Sequence, residues 1–187
     1  MTAKSTKALG PYNRYAIWTQ GCFRHCSGCI SKDSWPLDGG YEISTPDLAN
    51  DIINTPGIEG MTISGGEPYL QEEALVDLIK RVKSRRDAGI IIYTGFVFEE
   101  IKQKELTQIC DLIIDGAYVE ELNDDLSLRG SSNQRLSFIT GRYKEEAKIL
   151  YGVSGRKVEL RFDNDKTMLI GVPDKNSLKM LGGNRKN

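Results

Sequence analysis

Three short runs along the chain are apolar without alternating: Met61-Thr62-Ile63, Ile90-Ile91-Ile92-Tyr93 and Leu112-Ile113-Ile114. A half-exposed strand alternates between apolar and polar residues. Continuous runs predict strands covered on both faces, as in a parallel sheet. Tyr15-Ala16-Ile17-Trp18 predicts an earlier strand of the same kind. Between the runs the spacing turns helical. Thr45 followed by Pro46 predicts an N-cap and first-turn proline, opening a helix through about Ile53. Leu75, Leu78, Ile79 and Val82 fall at i, i+3, i+4 and i+7, which predicts a helix from about Glu72 to Ala88 with Gly89 as its C-terminal cap. A weaker helix is predicted from Glu99 to about Cys110.

Strand–helix alternation gives an α/β fold with right-handed crossovers. At 187 residues the chain fits one domain with a small appendage. It is short for a complete eight-fold barrel, which takes about 250 residues, so an incomplete barrel or open sheet is expected, with ligands at the carboxyl ends of the strands. Past Gln134 the character changes. Lys157 to Phe162 and Thr167 to Val172 flank Asp163-Asn164-Asp165-Lys166 and predict a β-hairpin, followed by a frayed tail from Asn176 to Asn187.

Charge is balanced, 25 Lys and Arg against 26 Asp and Glu, which argues against a nucleic-acid partner held by a basic field. No apolar run approaches the roughly 18 residues of a membrane span. Met1 to Gly10 has no apolar segment of the secretory type, so a cytoplasmic protein without a membrane partner is expected.

Three of the four cysteines, Cys22, Cys26 and Cys29, follow the first predicted strand within one short loop, beside Gly21 and Gly28. Clustered thiols without a secretory signal read as metal or redox chemistry. Soft thiolates select iron–sulfur clusters, zinc or Cu(I). A four-iron cluster ordinarily takes four cysteines, so three on one loop leave an iron open to a substrate or cofactor. The alternative is a structural zinc site completed by Cys110 or His25, although zinc ligands usually arrive as two close pairs. Cys110 itself, beside an apolar strand, reads as a buried inert thiol.

Ser64-Gly65-Gly66-Glu67-Pro68 follows the second strand. Its glycines let backbone approach a ligand closely, and Glu67 stands where a carboxylate receives an ammonium group. Equally, the segment is a strand-to-helix turn with Pro68 as the first helical residue.

Together, Cys-x3-Cys-x2-Cys after the first strand and Gly-Gly-Glu-Pro after the second resemble the radical S-adenosylmethionine superfamily. The resemblance implies a 4Fe-4S cluster on Cys22, Cys26 and Cys29, whose open iron binds the amino and carboxylate groups of S-adenosylmethionine. An electron from the reduced cluster then cleaves the sulfonium to a 5′-deoxyadenosyl radical. Gly65, Gly66 and Glu67 would meet the methionyl amino group, with Gly28, Ile30, Ser64, Thr94, Asp115 and Arg129 as further candidate cofactor contacts.

A narrower resemblance rests on Thr19-Gln20-Gly21-Cys22-Phe23-Arg24-His25-Cys26-Ser27-Gly28-Cys29, Ile92-Tyr93-Thr94-Gly95-Phe96, Ile114-Asp115-Gly116 and Arg129-Gly130-Ser131-Ser132-Asn133-Gln134. These segments, over about residues 10–136, are similar to the small glycyl-radical activases, above all those of anaerobic ribonucleotide reductase. The resemblance implies an incomplete parallel (β/α) barrel over residues 1–136 with residues 137–187 as a hairpin-bearing extension. It also implies a larger glycyl-radical partner enzyme and a flavodoxin- or ferredoxin-like electron donor. Gly28 stands where many superfamily members carry an aromatic that packs on adenine, as in the reductase activases. Ile30 stands where those activases usually have an aromatic.

Asp115, at a strand end, suits a ribose hydroxyl or a cation beside the cofactor carboxylate, or else caps the turn before Gly116. Arg129 offers a fork for a carboxylate, but it and Asn133 sit in a polar loop that solvates well. His25 is a proton donor poised near neutrality or simply a polar loop position. The run Lys80, Arg81, Lys83, Arg85 and Arg86 completes the dipole of its helix, or docks an acidic electron donor. Three functions therefore stand in order: a glycyl-radical activase, a radical S-adenosylmethionine enzyme acting on a small molecule or peptide, and a non-catalytic iron–sulfur or zinc protein.

Overall fold

The four apolar runs are strands, and they lie side by side in chain order. The computed structural model describes residues 1–151, 155–163 and 166–174. Its elements are β1 (Thr2–Thr6), β2 (Arg14–Thr19), α1 (Thr45–Asn54), β3 (Gly60–Gly65), α2 (Glu72–Lys83), β4 (Gly89–Thr94), α3 (Phe98–Ile101), α4 (Glu105–Gln108), β5 (Leu112–Asp115), β6 (Arg135–Phe138), α5 (Lys144–Leu150), β7 (Glu159–Asp163) and β8 (Lys166–Ile170). One mixed sheet runs β1 to β6 in sequence order, and β7 with β8 forms a separate two-stranded sheet. Strands β2 to β5 are parallel, whereas β1 and β6 add antiparallel edges. The fold is α/β with a mainly parallel central sheet.

Register explains the unbroken apolar runs. Ile17, Ile63, Ile92 and Ile113 stand abreast and bury into a core with Leu48 and Ile52 of α1, and Leu75, Ile79 and Val82 of α2. Their neighbours point the other way. Ile91, Leu112 and Ile114 pack with Tyr143, while Ala16 packs with Leu9 and Ile170 from β8. Both faces are covered, as continuous hydrophobicity demands. At the amino ends of the strands the fully buried Arg14 donates to the carbonyls of Met61 and Gly89, to Thr62 Oγ1 and to Glu59. The opposite, carboxyl ends are free to form a site.

Several expected boundaries move. Ser44, not Thr45, caps α1: its hydroxyl accepts from Asp47 N at 3.2 Å, and Thr45 and Pro46 are already helical. The helix α2 stops at Lys83, and Gly89 opens β4 rather than capping a helix. Arg86 explains the early stop, since its guanidinium turns back onto the carbonyls of Ile52, Ile53, Thr55 and Ile58. The expected third helix is two single turns, because Lys104 between them is extended. The hairpin is present, paired Glu159 to Ile170 through Asp163 to Lys166. The expected frayed tail lies outside the described residues. No helix among the described residues is long and apolar enough to cross a membrane.

Candidate active site

The carboxyl ends of β2 to β5 open onto one cavity of about 200 Å³. The loop after β2 brings Cys22, Cys26 and Cys29. The end of β3 and its turn bring Ser64, Gly65, Gly66 and Glu67, and β4 brings Thr94. Gly28, Ile30 and Arg129 line the same space, so the cluster cysteines and every candidate cofactor contact except Asp115 are brought together, whereas His25, Cys110 and Asn133 lie outside it.

The cysteine loop is pinned at its start by Gly21 N to Ser34 O at 2.8 Å and Cys22 N to Trp35 O at 3.0 Å; Cys29 N then bonds Cys26 O at 3.2 Å. The three thiols are free and half-buried. Burial pushes the Cys26 thiol up, a hydrogen bond from the Tyr118 backbone opposes this, and Cys29 and Cys22 push it up again. Beside them the space of a side chain at residue 28 is taken by Glu120, whose Cδ lies 2.5 Å from where a Cβ would stand.

The glycines of the turn serve the approach of two backbones. Gly65 is left-handed (φ 97°), and a Cβ there would lie 2.6 Å from Trp18 Cα. A Cβ on Gly66 would overlap the carbonyl oxygen of Gly21. Without side chains, the turn lies flat on the chain entering the cysteine loop, through Gly66 N to Thr19 O (2.9 Å) and Glu67 N to Gly21 O (2.8 Å). Pro68 opens a short 3-10 turn, and α2 begins only at Glu72.

Glu67 is buried at the cavity wall, 1% exposed. Its carboxylate accepts from Thr94 Oγ1 at 2.7 Å, Gly95 N at 2.9 Å and Tyr69 N at 3.2 Å. Burial pushes its carboxyl up, and these hydrogen bonds and Arg24 pull it back. An anion held in this way can receive an ammonium group. The Thr94 hydroxyl is spent on holding Glu67.

Asp115 faces elsewhere. It is fully buried, accepting from Phe98 N at 2.9 Å, Arg135 Nη2 at 2.7 Å and Ser137 Oγ at 2.8 Å. The antiparallel strand β6 pairs Asp115 with Arg135 and supplies Arg135 and Ser137, while Phe98 N comes from the start of α3. Arg129 lines the cavity, yet its guanidinium is held by Asp124 and the Ser132 carbonyl, over the ring of Tyr151. Asn133 donates to Ala117 O at 2.8 Å. His25 is exposed, its ring tilted on Trp35 at 4.6 Å. Cys110 is a buried core thiol donating to Thr107 O at 3.0 Å, and burial pushes it up to about 12. In the basic run, Lys80 pairs with Glu105, Arg81 with Asp77, and Lys83 donates to Ile109 O.

The cavity has walls that the motifs do not reach. Arg24 enters it from between two cysteines, and Leu150, Arg156, Lys157 and Val172 enter from beyond the activase-like segments. In the sequence Arg24 stands inside the cysteine loop with no role assigned to it. The others carry no local signal, because tertiary folding alone brings them in.

A family model described as a 4Fe-4S single cluster domain matches residues 8–137. The chain belongs to that family. It is similar to the anaerobic ribonucleoside-triphosphate reductase-activating protein of Enterobacteria phage T4, 34% identical over 132 residues, covering 68% of this chain and 85% of the relative. The protein of the same name from Escherichia coli strain K12 is 30% identical over 136 residues, covering 67% of this chain and 88% of the relative. The pyruvate formate-lyase 1-activating enzyme of that strain is 31% identical over 136 residues, covering 67% of this chain and 54% of the relative. This family member is an enzyme, a radical S-adenosylmethionine oxidoreductase of the activating type, with a 4Fe-4S cluster and S-adenosylmethionine as cofactors.

The residues fit those groups. Cys22, Cys26 and Cys29 line one cavity, next to a buried carboxylate suited to an amine. Among the described residues no three His, Cys, Asp or Glu side chains converge as on a single ion. Cluster cysteines sit on separate irons and need no such convergence. Neither ligand expected to complete the zinc alternative lines the cavity, Cys110 being in the core and His25 stacked on Trp35.

Proposed function

We propose that this enzyme reductively cleaves S-adenosylmethionine and removes hydrogen from a glycine of a larger partner enzyme. One observation carries the reading: Cys22, Cys26 and Cys29 share a single cavity with the Ser64–Glu67 turn at the carboxyl ends of the parallel strands. The sheet then corresponds to an incomplete radical S-adenosylmethionine barrel, with residues 1–136 as core and 137–187 as extension. When bound, the cluster and S-adenosylmethionine supply a 5′-deoxyadenosyl radical that takes the hydrogen.

The chain's own residues do the rest. Cys22, Cys26 and Cys29 hold three irons and leave the fourth open. Glu67, fixed by Thr94 and the Gly95 and Tyr69 amides, accepts the methionyl ammonium and orients it. The backbone bonds between the turn and the cysteine loop fix the amine site relative to the cluster, which is the orientation such a step needs. Electrons come from a flavodoxin- or ferredoxin-like donor in the cytoplasm. Anaerobic incubation with a candidate glycyl-radical enzyme should give a glycyl doublet in electron paramagnetic resonance.

A second reading, action on a small molecule or peptide, is favoured by the walls that Leu150, Arg156, Lys157 and Val172 add beyond the family match. No doublet with any partner, together with turnover of a free small molecule that Arg156→Ala abolishes, would select it.

A further inference from the structure

Arg24 lines the cavity from between Cys22 and Cys26 without being a cluster ligand. Its side chain crosses from the cysteine loop to the opposite wall. There its guanidinium lies 4.4 Å over the ring of Phe96 and 5.9 Å from that of Phe23, and the two rings meet edge to face at 6.1 Å. Its Nε stands 3.8 Å from Glu67 Oε2 and is buried without a hydrogen-bond partner. That is the one ion pair Glu67 makes among the described residues. The distance is beyond hydrogen-bond reach, so stacking and charge attraction hold the contact.

The crossing is possible because residue 95 is glycine. A Cβ there would overlap Arg24 Cδ and lie 2.6 Å from its Nε. Among the described residues the loop is also tied by the Phe23 ring against Phe96, an exposed hydrogen bond from Ser27 to Glu120 at 3.3 Å and the exposed ring of His25 on Trp35.

We propose that Arg24 is a positioning residue that straps the cysteine loop to Glu67 and so sets the spacing between the cluster and the amino end of the cofactor. The inference rests on the functional reading above. Lysine cannot fully replace it, since an ammonium has no planar face to lie on Phe96.

The test compares wild type, R24A, R24K, G95A and R24A/G95A after anaerobic reconstitution. Iron content, the S-adenosylmethionine dissociation constant and the paramagnetic spectrum of the reduced cluster with and without S-adenosylmethionine are read. R24A should keep its iron yet weaken binding by about 10- to 100-fold, the range typical of groups that orient a ligand site. The spectral change on cofactor addition should shrink with it, and R24K should recover part of both. G95A should match R24A because its methyl expels the strap, and the double variant should be no worse than either single one. Wild-type affinity and spectrum in R24A, or losses that add in the double variant, would overturn the proposal. If R24A fails to assemble its cluster, G95A decides: wild-type binding there overturns the proposal, and weakened binding with full iron supports it. A wild-type chain that holds the cluster but binds no S-adenosylmethionine would refute the functional reading instead.

Discussion

Replacing Gly66 by alanine tests whether the turn after β3 and the cysteine loop are one packed unit. The added Cβ would overlap the Gly21 carbonyl oxygen and lie 2.9 Å from its carbon and 3.0 Å from the Ser34 carbonyl oxygen. All three are backbone atoms, so no side chain can swing aside. Gly66 is not left-handed, and the clash is the whole effect. Relief means lifting the turn and losing the bonds Gly66 N to Thr19 O and Glu67 N to Gly21 O. Two such bonds are worth about 0.5–1.5 kcal/mol each, and overpacking strain adds about 1–3 kcal/mol. The sum, roughly 2–6 kcal/mol, should lower Tm by on the order of 10 °C in a chain of this size. Because Gly21 precedes Cys22, the affinity of the reconstituted enzyme for S-adenosylmethionine should fall as well. Gly141→Ala is the control, since no heavy atom lies within 4 Å of a Cβ there. Its Tm should move by no more than a few degrees. Circular-dichroism melts of the metal-free chains and binding isotherms of the loaded ones check both. G66A as stable and as tight-binding as G141A would refute the reasoning.

Asp115→Asn should destabilise the fold by about 2–3 kcal/mol through its charged hydrogen bonds to Phe98, Arg135 and Ser137 while S-adenosylmethionine affinity holds. Selective loss of affinity at unchanged Tm would put Asp115 at the cofactor instead. Cys110, pushed up to about 12, is about one part in ten thousand thiolate at pH 8. Alkylation of the metal-free chain should therefore label three cysteines quickly and the fourth only on unfolding. Hydrogen bonds from Lys4 and Tyr15 hold the Asp51 carboxyl below its usual 3.8. Its stabilising contribution is thus present above that pH and lost as pH falls through the folded value, so Asp51→Asn should flatten the acid limb of a stability profile.

The parallel core was legible because Met61–Ile63, Ile90–Tyr93 and Leu112–Ile114 bury both faces, and burial writes itself into sequence as unbroken hydrophobicity. The edges were not. The strand β6, Arg135-Leu136-Ser137-Phe138, alternates and is too short to stand out from the polar loop before it. That omission also hid two partners of Asp115, Arg135 and Ser137. The cysteine loop and the glycine turn were readable as chemistry, but the structural use of Gly65 and Gly66 was not, since the backbone that excludes their side chains, at Trp18 and Gly21, comes from β2 and the loop after it. The contacts of Arg24 and the walls from Leu150, Arg156, Lys157 and Val172 depend on packing across the fold that no local pattern encodes.

The most direct test of the account is 5′-deoxyadenosine formation by the anaerobically reconstituted chain with S-adenosylmethionine and dithionite, beside a Cys26→Ala control. Product from the wild type alone is expected. No product from wild-type protein with an intact four-iron cluster, even after host lysate is added to supply a partner, would contradict it.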